Sequence, residues 1–190
     1  MPRLAPIAHH LDLYAYWDAK RGSRAVPARI DLNPVEIPYL LPFLLIVERA
    51  GDQFRNRLIG SAVAQELGQD PTGKLVGASL ADPRSAAEAR AIFERVFTMA
   101  RPVFATGEFV FKSGTPHAMS LLALPLSDDG KEVNMTVASL VGRFYLYEPS
   151  RGWLKDIPAT VCDIIEVESA DDLERLCIEW ERRTGPQPGD

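Results

Sequence analysis

The sequence predicts an α+β fold built on an antiparallel sheet, and three observations carry this prediction. Two apolar runs on either side of a Gly51-Asp52 turn indicate a β-hairpin. An amphipathic pattern over 82–100 indicates a long helix. Three further strand patterns then follow one another with short turns and no helix between them. Such strands form an antiparallel meander, because a parallel sheet would require crossover helices.

Composition limits the class of protein. The chain has 190 residues, of which 46% are hydrophobic and 25% charged, so it can bury a core without disulfides or metal. Its net charge of −5 argues against a protein that binds nucleic-acid phosphates or an anionic membrane surface. No apolar run is long enough for a signal peptide or a membrane span. We therefore expect a cytoplasmic protein with neither nucleic acid nor membrane as partner.

The first helix is predicted over Ala8–Arg21, with Gly22 as its C-cap residue. A helix that rests on a single core needs only one apolar stripe. This helix has two, and we expect the second to form a homodimer interface or, alternatively, to be covered by Trp180 and the rest of the C-terminal part. The two stripes comprise Ile7, Leu11 and Tyr14, and Leu13, Tyr16 and Trp17.

A short helix is predicted between the first helix and the hairpin. Asn33 suits its N-cap and Pro34 its first position, where the missing N–H of proline costs nothing. Pro38 and Pro42 keep this helix short, because proline cannot continue the hydrogen-bonding pattern. The apolar run after Pro42 is the first strand of the hairpin.

The second strand of the hairpin alternates between two faces. Phe54, Asn56 and Leu58 share one face, which we expect to point towards the core. Arg55 and Arg57 share the other face, where they could form an anion site for a carboxylate or phosphate ligand. We favour the structural alternative, in which both arginines pair with acids of the covering N-terminal segment. Those acids are Asp12, Asp31 and Glu36.

Capping and turn residues predict the remaining elements. Ser61 is expected to cap a short helix that ends at Leu67, and Pro83 takes the first position of the long helix. The last helix begins after Ser169, which with Asp172 resembles a capping box. Strand patterns cover 103–111, 117–126, 133–146 and 161–167.

Four segments carry a resemblance to the PAS-fold family of small single-domain proteobacterial proteins of unknown function: YWDAKRG, PARIDLNPVEIPYLLPFLLIV, FRNRLIGSAV and GQDPTGK. The resemblance covers 11–141 and departs from the family at Pro71, where an aliphatic residue is usual. It implies a five-stranded sheet in the order 2-1-5-4-3 with the long helix across one face. We expect a PAS-like core over 31–147, an N-terminal helix and loop over 1–30, and a C-terminal strand–helix appendage with a disordered tail over 148–190.

The resemblance implies a ligand cavity between the long helix and the sheet. The expected function is a sensory or regulatory module that binds a small molecule or a separate signalling protein and has no output domain of its own. Two alternatives stay open, a small enzyme that uses the same cavity and a purely structural dimerisation module with a full core. Strand alternation and helical spacing give the candidate lining residues as Leu58, Phe93, Phe97, Phe109, Ser120 and Leu122.

Two motifs resemble catalytic loops only in part. Gly68, Gly73 and Lys74 have P-loop spacing, but Leu75 stands where a magnesium-binding hydroxyl is required, and the segment follows a helix. The segment GASLA around Ser79 lacks the final glycine of a nucleophile elbow and the strand that such an elbow follows. We therefore expect neither nucleotide binding nor serine hydrolysis at these segments.

The histidines and cysteines indicate no cofactor. His9 and His10 are expected to be solvated at the start of the first helix, and His117 has no evident partner set for metal or haem. Light-sensing PAS relatives attach flavin or a cinnamoyl group to a core cysteine, whereas Cys162 and Cys177 lie beyond the PAS-like region. We therefore expect no covalent chromophore and no haem. Cys177 is expected to be a small buried hydrophobe.

Overall fold

The computed structural model describes residues 7–81, 83–110, 116–129, 132–144 and 163–184. Three expectations fall outside these residues, namely those concerning Cys162, the turn at 113–115 and the tail after 184. None of the helices in the described ranges has both the length and the hydropathy that a bilayer crossing requires.

The elements of the described ranges follow the predicted order closely. Helices occupy Ala8–Arg21 (α1), Ser61–Glu66 (α2), Pro83–Met99 (α3) and Ala170–Thr184 (α4). Strands occupy Leu44–Ala50 (β1), Gln53–Ile59 (β2), Val103–Val110 (β3), Pro116–Leu126 (β4), Met135–Phe144 (β5) and Asp163–Glu166 (β6).

The six strands form one antiparallel sheet in the order β2-β1-β5-β4-β3-β6. The first five strands have the predicted order 2-1-5-4-3, with α3 across one face, so the predicted fold class is confirmed. The C-terminal strand is not separate from this sheet, because Ile165 of β6 pairs with Phe104 of β3. The sheet therefore ends at β6 rather than at β3.

Both faces of the sheet are covered. The inner face packs against α3, with Val96 fully buried among residues of β1, β3, β4 and β5. The outer face packs against α1 and α4, with Phe104, Leu122 and Leu124 of the sheet buried beneath the helices. These two faces, named inner and outer below, hold separate apolar cores.

The second stripe of α1 is covered within the same chain. Tyr14, which was expected to be free for a dimer, is 7% exposed and shares a core with Leu176 and Trp180 of α4. The alternative with Trp180 as cover is therefore the arrangement in the structure. Ile7 and Leu11 of the same stripe are half-buried and pack against this core, so a dimer through α1 loses the fully exposed stripe from which it was inferred.

His10 is not solvated as expected, because it is fully buried between α1 and the sheet. Its Nδ1 lies 2.6 Å from Ser139 Oγ and its Nε2 lies 2.9 Å from Ser120 Oγ. Burial lowers the pKa of His10 to about 3, so the ring is neutral at physiological pH. His9 is half-buried and stacks on Phe43, with 3.9 Å between the ring centroids.

Capping agrees with expectation at two helices and differs at a third. The short helix predicted after Asn33 is a 3₁₀ turn, Pro34–Glu36, and Asn33 Oδ1 accepts a hydrogen bond from the Val35 amide there. At α4, Ser169 Oγ accepts a hydrogen bond from the Asp172 amide. Ser61 was expected to cap α2, but Gly60 occupies the cap position. A Cβ at Gly60 would lie 2.4 Å from a backbone oxygen, so the chain has room only for glycine there.

Candidate functional site

A cavity of about 110 Å³ lies on the inner face, where α2, α3 and the loop over 71–80 close over the sheet. Its walls are aliphatic and aromatic apart from two polar side chains. The lining residues are Leu45, Asn56, Ile59, Val63, Leu67, Pro71, Val76, Gly77, Ser79, Leu80, Ala89, Ile92, Phe93, Ala105, Phe109, Met119, Leu121 and Leu140.

The loop over 71–80 is fixed in place by backbone contacts on both of its sides. Towards the sheet, the Asn56 amide donates to Lys74 O at 3.0 Å and the Gly73 amide donates to Asn56 O at 2.7 Å. Towards α3, Gly77 has φ of +87° and an added Cβ would lie 2.9 Å from Ala86 Cβ. Only glycine combines this conformation with so close an approach.

Ser79 places an unpaired hydroxyl in the cavity wall. Its side chain is buried, and its Oγ has no hydrogen-bond partner. An unsatisfied buried hydroxyl costs about 1–3 kcal/mol, so such groups are rare unless a ligand or water completes them. The side-chain amide of Asn56, the second polar residue, already has a hydrogen-bond partner, since its Nδ2 donates to Lys74 O at 3.2 Å.

The charge pattern of the cavity defines the ligands that it can hold. No Asp, Glu, Lys, Arg or His belongs to its described lining. A charged ligand would lose its hydration there without gaining a countercharge, which is strongly unfavourable. The cavity therefore suits an uncharged molecule with an apolar body and one group that bonds to a hydroxyl.

Phe93, Phe97 and Phe109 were proposed as lining residues, and all three lie on the inner face. Phe93 and Phe109 line the cavity. Phe97 lies one helical turn further along α3 and stacks on Phe54, with ring centroids 5.1 Å apart. The Arg49 guanidinium covers this Phe97 ring at 5.1 Å, so Phe97 packs beside the cavity rather than in its wall.

Leu58 was expected to face the cavity but lies on the outer face, and a β-bulge explains the difference. Ile46 pairs with Leu58 while Val47 pairs with Asn56, which leaves Arg57 as the extra residue. An extra residue reverses the alternation beyond it. Ile59, rather than Leu58, therefore lines the cavity.

Ser120 and Leu122 were also expected to face the cavity, and both lie on the outer face instead. Ser120 bonds to His10, and Leu122 belongs to the core beneath α1 and α4. Their neighbours Met119 and Leu121 line the cavity. The error arose because β4 is apolar on both faces, so alternation does not indicate which face is which.

Arg55 and Arg57 both pair with Glu48 of β1. The distances from their Nη1 atoms to the Glu48 carboxylate are 3.9 Å and 3.0 Å. Pairing was the favoured interpretation, but the expected partners were wrong, since Glu48 takes the place of Asp12, Asp31 and Glu36, and the last two pair with Arg24 and Lys20. The anion site stays an untested alternative at two arginines that already share a carboxylate.

Several lining residues were not foreseen from the sequence. Ser79 was considered only as a nucleophile, and its signal was its place in an apolar segment, GASLA, just before a helix. Asn56 was placed on the correct face but not proposed as a lining residue. Pro71, noted as a departure from the family, lies in the cavity wall.

Other candidate groups lie away from this cavity. Cys177 is fully buried on the outer face, where burial raises the pKa of its thiol to about 12. Among the described residues, no group of three or more His, Cys, Asp and Glu side chains is placed to hold a metal ion. The side chain of His117 lies outside the described structure.

Solved structures similar to this chain include light-oxygen-voltage domains. One, described with a flavin analogue, is 10% identical, with 64% of this chain and 90% of that chain covered and a TM-score of 0.47. Another, from a blue-light-activated histidine kinase of Erythrobacter litoralis, is 20% identical, with coverages of 55% and 98% and a TM-score of 0.45. A third, from Rhodobacter sphaeroides, is 13% identical, with coverages of 60% and 62% and a TM-score of 0.46.

With identities of 20% or less and TM-scores below 0.5, this likeness carries no argument about the function of the chain. Among curated proteins, none matches the sequence. A family model described as a PAS domain matches residues 7–141, which include α1, all of β1 to β4, α3 and most of β5. The chain therefore belongs to the PAS domain family, whose fold is that of a sensory or regulatory module.

Proposed function

We propose that this PAS domain binds a small uncharged molecule in the inner-face cavity and transmits occupancy to a separate partner protein. The observation that carries the proposal is the unpaired Ser79 hydroxyl in an otherwise apolar cavity. A hydroxyl in this position can donate to a carbonyl oxygen or accept from a hydroxyl. A ligand that completes this bond gains affinity and removes the cost of the unsatisfied group.

The volume of about 110 Å³ limits the ligand further. A cavity of about 150 Å³ holds benzene, so this one suits a slightly smaller ring or a short branched chain. The absence of ionisable groups from the described lining supports binding rather than acid–base chemistry. The open volume also argues against the alternative of a structural module with a full core.

Occupancy has a short route to α1 through the sheet. Met119, Leu121 and Leu140 face the cavity. Their sequence neighbours Ser120 and Ser139 face outwards. Both serines bond to His10 of α1. A ligand that shifts β4 and β5 therefore changes the surface on which α1 packs. We propose that α1 transmits this change to the partner protein.

Methionine methyl groups provide the test. The probe is cyclopentanone, added to the full chain labelled with ¹³C at the methionine methyls, with cyclopentane as the matched ligand that lacks the oxygen. Met119 lines the cavity, whereas Met99 and Met135 lie elsewhere and serve as internal controls. We expect saturable shifts of the Met119 resonance alone, with tighter binding of cyclopentanone than of cyclopentane.

Two variants separate the role of Ser79 from general effects on the fold. Ser79→Ala should weaken cyclopentanone about tenfold and leave cyclopentane unchanged, because only the oxygen uses the hydroxyl. Ser61→Ala, outside the cavity, should change neither. Native mass spectrometry of the purified chain then identifies any molecule that copurifies. Shifts that are absent from Met119, or equal at Met99, Met119 and Met135, would contradict the proposal.

A further inference from the structure

A second and larger opening lies on the outer face, away from the cavity described above. It has a volume of about 420 Å³ and is enclosed by α1, the segment over 29–42 and the outer side of β1 and β2. We call it the outer cleft. Trp17 and Leu44 form its base, and Leu41 and Leu58 form part of its wall. Its volume falls in the range typical of small-molecule sites.

Arg29 is the only charged residue that lines the outer cleft in the described structure. It is half-buried and begins a short 3₁₀ turn, Arg29–Asp31, which the Arg29 amide anchors by donating to Ser127 O at 2.6 Å. Pro38 and Pro42, which also line the cleft, stiffen the segment over 29–42. The backbone from which the Arg29 side chain extends is therefore held in place beside an apolar surface.

Arg29 differs from the other cations of this region in having no partner among the described residues. Each of the three others holds a carboxylate at 2.7 Å. No described carboxylate lies within 4.0 Å of the Arg29 guanidinium, and no hydrogen bond from that group occurs in the described structure. A half-buried guanidinium without an anion can still donate charge-assisted hydrogen bonds to a carboxylate, which are the strongest hydrogen bonds that it forms. The paired cations are Lys20 with Glu36, Arg21 with Asp18, and Arg24 with Asp31.

The apolar part of the outer cleft is also incompletely covered. Leu41 is 36% exposed and Leu58 is 43% exposed, although both face the cleft. Exposed apolar surface next to an unpaired cation is complementary to a molecule with an apolar body and one negative group. We propose that the outer cleft is a binding site for small amphiphilic carboxylates, with the carboxylate on Arg29 and the hydrocarbon against Leu41 and Leu58.

Calorimetry with the full chain tests this site, with octanoate as the probe. Octanol is the matched probe without the charge, and acetate is the matched probe without the hydrocarbon. We expect octanoate to bind saturably with one site per chain and to exceed both matched probes in affinity. The Met119 methyl resonance should stay unshifted, because Met119 belongs to the inner-face cavity.

Two charge-removing variants locate the carboxylate. Arg29→Gln should weaken octanoate about tenfold and leave octanol unchanged, because a charge-assisted hydrogen bond is lost. The control is Arg24→Gln, which removes a nearby surface cation that is paired with Asp31 and should leave octanoate affinity as it was. A melting temperature within the error of the wild type shows that each variant is folded.

Three outcomes would overturn the inference. Equal octanoate affinity in Arg29→Gln and the parent chain would remove the carboxylate contact. A Met119 shift that follows octanoate binding would place the ligand in the inner-face cavity instead. No saturable heat up to the solubility limit of octanoate would exclude the site. None of these results bears on binding of cyclopentanone, so the two proposals are tested separately.

Discussion

His10 joins α1 to the sheet through both of its ring nitrogens, and this makes it the most consequential single residue of the outer face. A neutral imidazole carries one N–H donor and one acceptor, so Ser120 and Ser139 each complete one of its bonds. Either hydroxyl would be left buried without this partner if the ring were removed. The ring also lies edge-on to Phe104, with 5.6 Å between centroids.

We predict that His10 makes folding sensitive to acid. Its pKa is about 3 in the folded chain and near 6.5 when unfolded, so the unfolded chain binds an extra proton between these values. Stability attributable to this group is complete above pH 6.5 and declines as the pH falls towards 3. Urea melts at pH 7.5 and pH 5 measure how much free energy of unfolding the chain loses on acidification. This loss should be about 2 kcal/mol smaller in His10→Gln than in the parent chain. A pH dependence identical in both chains would contradict this.

Gly77 is the residue on which the shape of the cavity depends most closely. We predict that Gly77→Ala lowers the free energy of unfolding by about 1–3 kcal/mol, because alanine is strained at φ of +87° and its Cβ meets Ala86. The same change should alter the Met119 methyl resonance, which reports on the cavity. Gly51→Ala is the control, since φ there is also positive but nothing lies within 4 Å of an added Cβ. Equal losses in both variants would show that backbone strain alone is responsible.

At the scale of elements, α4 is docked by a narrow apolar stripe. Leu173, Leu176, Cys177 and Trp180 are buried, whereas Ile178 on the same helix is 37% exposed. The first turn carries acids and the last turn carries Arg182 and Arg183, which agrees with the helix dipole. The helix therefore contributes to the outer core on one side only.

Trp180→Ala should destabilise the chain by about 3–5 kcal/mol, the usual cost of removing a buried tryptophan. The sheet and α3 should still fold, because their core on the inner face does not include Trp180. Ile178→Ala is the matched control and should cost less than about 1 kcal/mol. Circular dichroism melts distinguish the two, and an unchanged melt for Trp180→Ala would mean that α4 is not docked.

Local sequence signals were sufficient for the existence and order of the elements. Gly22 marked the end of α1, Gly51-Asp52 marked the hairpin turn, and Ser169 marked the start of α4. It was harder to predict whether a strand residue lies on the inner or the outer face of the sheet. Alternation fails at a bulge, and it gives no answer in a strand that is apolar on both sides. Leu58 and Ser120 illustrate these two failures.

The candidate site was less predictable than the fold for a related reason. Phe93 and Phe109 were found because each lies on an element with a clear apolar face. Ser79 lies in a loop, where no periodicity indicates direction, and its significance rests on the lack of a partner. Such a lack is visible only in three dimensions. The burial of His10 was missed because a polar ring at the start of a helix was expected to face solvent, whereas this ring lies on the side of α1 that packs against the sheet.

At the scale of the whole molecule, α1 packs against both the sheet and α4, and its residues Leu13, Tyr14 and Trp17 are buried. We predict that Tyr14→Glu lowers the free energy of unfolding by about 3 kcal/mol or more, because it buries an unpaired charge beside α4. Ala15→Glu, at an exposed position of the same helix, should change stability by less than about 0.5 kcal/mol. Thermal melts test this.

Sedimentation equilibrium separates this prediction from the dimer that the sequence suggested. The expected result is that both variants keep the mass of the parent chain and that only Tyr14→Glu melts at a lower temperature. A Tyr14→Glu chain that stays folded with half the parent mass would instead establish a dimer interface at that residue. The position of α4 against Tyr14 makes the first result the expected one.

The pairing of β6 with β3 also bears on aggregation. β6 pairs with residues 103–106, which are four of the eight residues of β3. Without β6 this half of β3 would be an open sheet edge, and an open edge readily pairs with strands of other molecules. In its place the sheet ends in a strand of four residues that begins with Asp163 and finishes with Glu166. A short edge with a charged side chain at each end disfavours the addition of another strand. Shortening the chain before β6 would therefore cost solubility at high concentration, even where the remaining sheet still folds.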